Sequence, residues 1–186
     1  TFFSEHPIFF WRKLLLKFFF SLLHGFHTRS ILLSFMSRSL LIGLLIALAL
    51  LGIADSIYLS MHVVEGTPLV CDIGAGLDGC NIVAQSPYSR FLGIPLAFYG
   101  LAFYGLLLLG SIAALWKHHR HLHRALLAIS VLGAVFSVWF LYIQFALIKA
   151  LCIYCILSAG VAFAALVASL WLDLRHKNLP AVVPAP

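Results

Sequence analysis

Charge is what this chain has least of. Asp, Glu, Lys and Arg make up 10% of its 186 residues, and only six of those are acidic. A water-soluble domain of this size must clothe its surface in polar groups, and a sequence that is 63% hydrophobic has too few of them. The excess of twelve basic over six acidic residues does not signal a nucleic-acid partner. The cations sit in short clusters between apolar runs, where membrane topology places them. Cysteine is sparse too, with four in all: Cys71, Cys80, Cys152 and Cys155. No internal repeat is evident. No apolar run carries the Pro/Gly break of transporter substrate sites, and the third has no charged or amide residue except Gln144, which argues against a small transporter.

Present instead are several apolar runs near the length of about 20 residues that crosses a bilayer. They read as four spans: about Leu40 to Val64, Gly93 to Trp116, Ala125 to Ile148, and Cys152 to Leu174. The fold class is an all-α integral membrane protein with four transmembrane helices and a Gly-rich outer loop between the first two. Span one has a rival reading as a cleaved signal peptide, because Arg38, a Leu-rich core and Gly52-Ile-Ala54 mimic the three regions of one. A retained helix is preferred, since apolar residues continue through Ile57, Leu59, Met61, Val63 and Val64. Residues 1–35 differ from the rest. They are rich in Phe and broken by Arg12, Lys13, Lys17 and Arg29, and read either as an interfacial amphipathic helix or as sequence ahead of a translation start at Met36. The expected organisation is thus an N-terminal extension (1–35), a membrane domain (36–177) and a short tail (178–186).

Basic residues orient the spans. Arg38, the trio Lys117, Arg120 and Arg124, and the pair Arg175 and Lys177 fall on one side, whereas the other holds only Arg90 and Lys149 beside Glu65, Asp72 and Asp78. The positive-inside rule puts both termini in the cytoplasm and both cysteine pairs at the outer face. That is the compartment in which disulfides form and persist.

Cys71 and Cys80 flank Gly74, Gly76 and Gly79, which permit the sharp turns a disulfide between them requires. Cys152 and Cys155 form a C-x2-C pair at the mouth of span four, where a helix N-terminus stabilises the outer thiolate. A four-thiolate zinc site is the competing reading of two such pairs, but zinc normally takes Cys-rich knuckles at short spacing. A structural disulfide explains Cys71–Cys80 well enough. It explains the C-x2-C poorly, because so tight a ring is strained and easily reduced. Thiols set where a chain enters lipid suggest exchange with a lipid-soluble electron carrier.

This order of parts resembles the vitamin K epoxide reductase family, in its bacterial form. The resemblance covers roughly Leu40 to Leu174. It rests on a loop cysteine pair after the first helix, C-x-x-C opening the fourth, Ser86 six residues after Cys80, Gly93-Ile-Pro-Leu-Ala97, and Tyr58-Leu-Ser-Met-His62. It implies a four-helix membrane bundle that is an enzyme: a quinone-reducing disulfide oxidoreductase of the bacterial inner membrane. By position, Cys71 and Cys80 take electrons from a partner's dithiol, Cys80 exchanges with Cys152, Cys155 faces the quinone, and Ser86 shapes the site by hydrogen bonding. The electron acceptor is ubiquinone or menaquinone, and no metal is implied. The chain ends at Pro186 without a fused thioredoxin-like domain, so the expected partner is a separate periplasmic thioredoxin-fold protein. Ala159 stands where the animal enzymes place a tyrosine, which favours plain quinone reduction over epoxide reduction. The alternatives are a quinone or quinone-epoxide reductase that uses thiols only as reductant, and a non-catalytic scaffold with structural disulfides.

Other residues have smaller claims. Asp55 lies in the outer half of span one, with Tyr58 and His62 on the same face. An unpaired Asp at a helix centre costs about 2.5–3.5 kcal/mol on insertion scales, so it should face protein or water. Its roles are a proton relay to the quinone or a polar cap bonded to a neighbouring helix, the second being preferred. His118, His119, His121 and His123 could bind metal, but a solvated basic loop in the cytoplasm, away from the cysteines, is the preferred reading. Phe98, Tyr99, Phe103, Tyr104, Phe136, Trp139 and Tyr142 are the aromatic candidates for a quinone pocket.

Overall fold

The computed structural model describes residues 37–70, 79–117 and 119–178. The N-terminal extension, Cys71 with the residues that follow it up to 78, His118 and the tail after 178 lie outside the described residues.

Four long helices carry the fold: α1 (Arg38–Glu65), α3 (Leu96–Trp116), α4 (Arg120–Tyr142, continued by a π-helical turn at Ile143–Ile148) and α5 (Ile153–Asn178). Each is long and apolar enough to cross a membrane. The short helix α2 (Gly79–Gln85) and a hairpin of β1 (Arg90–Phe91) and β2 (Ile94–Pro95) join α1 to α3. The long helices form a ring in which α1 and α4 each pack against α3 and α5.

Packing here follows the rules of lipid rather than water. In α1 the buried residues Leu41, Ile42, Leu45, Ala49, Gly52, Ser56 and Ser60 make one stripe, while Leu51, 61% exposed, points outward. In α5 the buried face is mostly small: Ala159, Ala162, Ala165, Ala168 and Ser169. Lipid tails supply no hydrophobic drive between helices, so small residues that bring backbones close replace large interlocking side chains. At Gly52 any Cβ would collide with the Tyr104 ring of α3, and at Gly100 it would lie 2.8 Å from Ser56 Oγ. These two glycines let α1 and α3 approach.

Two boundaries differ from the sequence reading. The second span starts at Leu96 rather than Gly93, because residues 90–95 form the antiparallel hairpin, with Arg90 opposite Pro95 and Phe91 opposite Ile94. Its turn residues Leu92 and Gly93 both have positive φ (51° and 80°), as a tight two-residue hairpin turn requires. Pro95, with no N–H to donate, sits just ahead of the helix. The third span starts at Arg120 rather than Ala125. His123, read as part of a solvated loop, is instead 1% exposed within α4. Hydropathy sees charged residues as loop, but backbone hydrogen bonding carries the helix past them.

Candidate functional site

One end of the bundle gathers three cysteines. Cys80 and Cys152 belong to one buried cluster with Leu69 and Val83, and Cys155 packs against it. Gly79 makes this possible: a Cβ there would collide with the Leu151 carbonyl oxygen. The residue before Cys80 thus lies against the residue before Cys152. Cys80 is disulfide-bonded, whereas Cys152 and Cys155 are free thiols.

The stretch of chain that follows α1 is tied down on both sides. Asn81 acts as a short piece of sheet: its Oδ1 accepts from Leu69 N–H (2.8 Å) and its Nδ2 donates to Leu69 O (3.1 Å). Tyr154, inside the C-x2-C, donates its hydroxyl to Val70 O (2.9 Å) and rests on the Tyr58 ring, 5.0 Å between centroids. Tyr58 in turn meets His62 edge-on at 4.5 Å, and His62 Nδ1 bonds Thr67 Oγ1 (2.8 Å). One face of α1 and the C-x2-C turn therefore fix residues 67–70.

Cys152 precedes α5 and caps it. Its carbonyl accepts the first helical bond, from Ile156 N–H (3.0 Å), and its sulfur accepts from Cys155 N–H (3.3 Å). The Cys155 thiol also donates to Cys152 Sγ, 2.8 Å away. These contacts hold the Cys152 thiol below the ordinary cysteine value. The Cys155 thiol contributes most, burial opposes it, and the Cys155 and Tyr154 amides add to the lowering. A sulfur at a helix N-terminus with two donors aimed at it is set up as a nucleophile.

Below the thiols lies a cavity of about 410 Å³, within the range of small-molecule sites. Cys80, Cys152 and Cys155 form part of its wall, with Ser158 and Ala159 one turn further along the Cys155 face of α5. Of the aromatic candidates, Tyr99, Phe103, Tyr104 and Phe136 line it, joined by Phe140; Phe98, Trp139 and Tyr142 do not. Leu132 and Phe136 line the cavity and yet are 70% and 38% exposed, so its wall between α3 and α4 is also the outer surface of the bundle.

Polar groups in the cavity are few and grouped. Tyr104, 2% exposed, donates its hydroxyl to Ser158 O (2.7 Å) and lies 2.9 Å from Ser158 Oγ. The Asp55 carboxylate lies on the same side, beside Ser158. Both its oxygens are buried, with the Ser158 hydroxyl beside them. Ser86 lies elsewhere. Its hydroxyl donates to Val83 O (2.7 Å), closing the end of α2, and it lines a neighbouring polar cavity with His62, Thr67, Asn81 and Arg90. Among the described residues no group of three or more His, Cys, Asp or Glu is arranged to hold a metal.

Sequence reasoning missed Asn81, Tyr154 and the site roles of Gly79 and Gln144. The first three flank cysteines in sequence and were within reach of a closer reading. Gln144 Oε1, which accepts from Cys152 N–H (2.9 Å), is eight residues away across an irregular turn that hydropathy does not reveal.

The sequence model of the vitamin K epoxide reductase family matches residues 43–170, about two thirds of the chain, from within the first span to within the fourth. With that match and four apolar helices closing over clustered thiols, the chain belongs to the vitamin K epoxide reductase family of membrane oxidoreductases, which work with quinones.

Proposed function

We propose that this enzyme reoxidises a separate periplasmic thioredoxin-fold protein and passes the two electrons through two cysteine pairs to a membrane quinone. The observation that carries this reading is the placing of Cys80, Cys152 and Cys155 together on the wall of one apolar cavity. The partner's dithiol reduces a Cys71–Cys80 disulfide and leaves as a disulfide. Cys80 thiolate attacks Cys152 of an oxidised Cys152–Cys155 pair and releases Cys155 as a thiolate. Cys71 then attacks Cys80, restoring the loop disulfide and freeing Cys152. The dithiol at 152 and 155 gives two electrons and two protons to the quinone, which leaves as quinol while the inner disulfide re-forms.

The roles divide by surroundings. Cys152 is in the buried cluster with Cys80, so it serves as the exchange partner. Cys155 leads onto the face of α5 that carries Ser158 and Ala159 into the cavity, so it serves the quinone. Ser86 acts at one remove, by closing the helix that carries Cys80. The small Ala159 side chain offers no hydroxyl to an epoxide oxygen, which favours plain quinone reduction. The cytoplasmic clustering of basic residues supports a periplasmic placing of the thiols.

Asp55 is the proton relay in this reading, since its carboxyl sits in the cavity close to Ser158 and Tyr104. Asp55→Asn keeps the shape and removes the transferable proton. It should slow quinone reduction about a hundredfold, the low end for a general acid, while thiol exchange with the partner keeps its rate. Equal quinone rates in the two proteins would leave Asp55 as a packing residue.

The direct test mixes the purified protein, ubiquinone or menaquinone, and a reduced thioredoxin-fold protein, and follows quinone absorbance. Quinone loss matched by oxidation of the dithiol is expected. Quinone reduction by small thiols, with no acceleration by any thioredoxin-fold dithiol, would favour the reductase reading in which thiols serve only as reductant. No quinone reduction under either condition would overturn both.

A further inference from the structure

The link between α4 and α5 rests on a single residue. The π-helical turn at Ile143–Ile148 ends at Lys149, whose backbone is left-handed (φ 56°, ψ 29°). Gln144 lies within that turn and is 0% exposed. Its backbone carbonyl accepts from Lys149 N–H and from Ala150 N–H (3.3 Å), and its side-chain Oε1 accepts from Cys152 N–H (2.9 Å). Three amides of the segment that delivers the C-x2-C to its helix thus end on one side chain and its own carbonyl.

The chemistry of a helix start explains why a distant residue is needed. In the usual capping box, the side chain at the cap bonds the amide three residues on, and the side chain at that third position reaches back to the amide of the cap. Here Cys152 makes the first half of that exchange, with its sulfur accepting from Cys155 N–H. The third position is Cys155, whose side chain is the second reactive thiol and is turned toward Cys152 Sγ. It cannot also serve as acceptor for the cap. A buried N–H left without a partner costs about 1–3 kcal/mol, enough to let the cap residue swing out of place. Gln144 supplies the missing acceptor from another helix and leaves both sulfurs free.

We propose that Gln144 is a positioning residue for the redox pair: its side-chain carbonyl completes the cap at Cys152 and so holds that sulfur under the Cys155 amide and thiol. Among the described residues Gln144 Nε2 has no hydrogen-bond partner, so the acceptor oxygen carries the role. Its importance to turnover rests on the thiol relay proposed above, but its effect on Cys152 does not.

The test uses full-length protein in detergent, with variants Gln144→Met, similar in length but with no acceptor, and Gln144→Asn. The readout is the ultraviolet thiolate absorbance of the reduced protein at neutral pH, taken as the part of the signal lost in Cys152→Ser. In Gln144→Met the thiolate-to-thiol ratio at Cys152 should fall about tenfold, the equivalent of one charge-assisted hydrogen bond. A wild-type signal in Gln144→Met, or no Cys152 thiolate signal in the wild-type protein, overturns the proposal. Gln144→Asn, a carbon too short to reach the amide, should lose the signal in the same way, and a wild-type signal there overturns the proposal equally. Should the methionine variant fail to fold, the asparagine variant decides. Because neither quinone nor partner enters the measurement, loss of the signal in a protein that fails to turn over quinone sinks the functional reading alone.

Discussion

Cys155→Ser is expected to reduce quinone reduction to background. Serine cannot close a disulfide with Cys152, so the inner pair can no longer hand over two electrons together. It also removes the thiol that donates to Cys152 Sγ at 2.8 Å. The loss should be complete with either quinone and either reductant, small dithiol or protein. Cys71→Ser should behave differently: turnover with the thioredoxin-fold partner stops, while a small dithiol that reaches the inner pair directly still drives quinone reduction. Full turnover by Cys155→Ser with purified quinone would falsify the assignment of the C-x2-C as the quinone-reducing pair.

Gly79→Ala should produce the second largest effect, and for a purely geometric reason. The added methyl collides with the Leu151 carbonyl oxygen, and the Leu151 carbonyl carbon and amide nitrogen lie 3.2 and 3.3 Å from it. All three are backbone atoms and cannot rotate aside, so α2 must move away from the start of α5. That shift carries Cys80 off Cys152. Misplacement of reacting groups by about 1 Å can cost a hundredfold, and partner-driven turnover should fall by about that factor. Quinone reduction from a chemically reduced inner pair should stay near the wild-type rate, because the cavity and Cys155 are not displaced. Overpacking of this kind also costs about 1–3 kcal/mol of stability, readable as a lower melting temperature. Parallel loss of both rates would instead point to general unfolding.

The membrane architecture was legible because it is a matter of length and composition. The runs beginning near Leu40, Gly93, Ala125 and Cys152 are the four long helices to within a few residues. Boundaries moved where local backbone chemistry outweighed hydropathy, as at the hairpin before Leu96 and at the charged first turn of α4. The C-x2-C at a helix mouth was legible from spacing alone, since two thiols one turn apart can only be neighbours. Long-range partners were not. Nothing in the run Tyr142-Ile-Gln-Phe-Ala announces that Gln144 reaches the Cys152 amide, because that bond depends on a π-helical turn and a left-handed Lys149. Ser86 shows the converse. Its spacing from Cys80 suggested a hand in the site, and its hydroxyl bonds the Val83 carbonyl just past the end of α2, the helix that carries Cys80.

If the proposed acceptor enters by the outer wall of the cavity, where Leu132 and Phe136 face both inward and outward between α3 and α4, it arrives from the lipid. A molecule that reaches the thiols by that side travels in two dimensions and never dissolves in water. What the enzyme senses is then the mole fraction of acceptor in the surrounding lipid, not its concentration per volume of suspension. Diluting a fixed preparation of proteoliposomes leaves that quantity unchanged, whereas adding acceptor-free lipid to the same bilayer lowers it. Saturation curves for this protein therefore belong on an axis of acceptor per lipid.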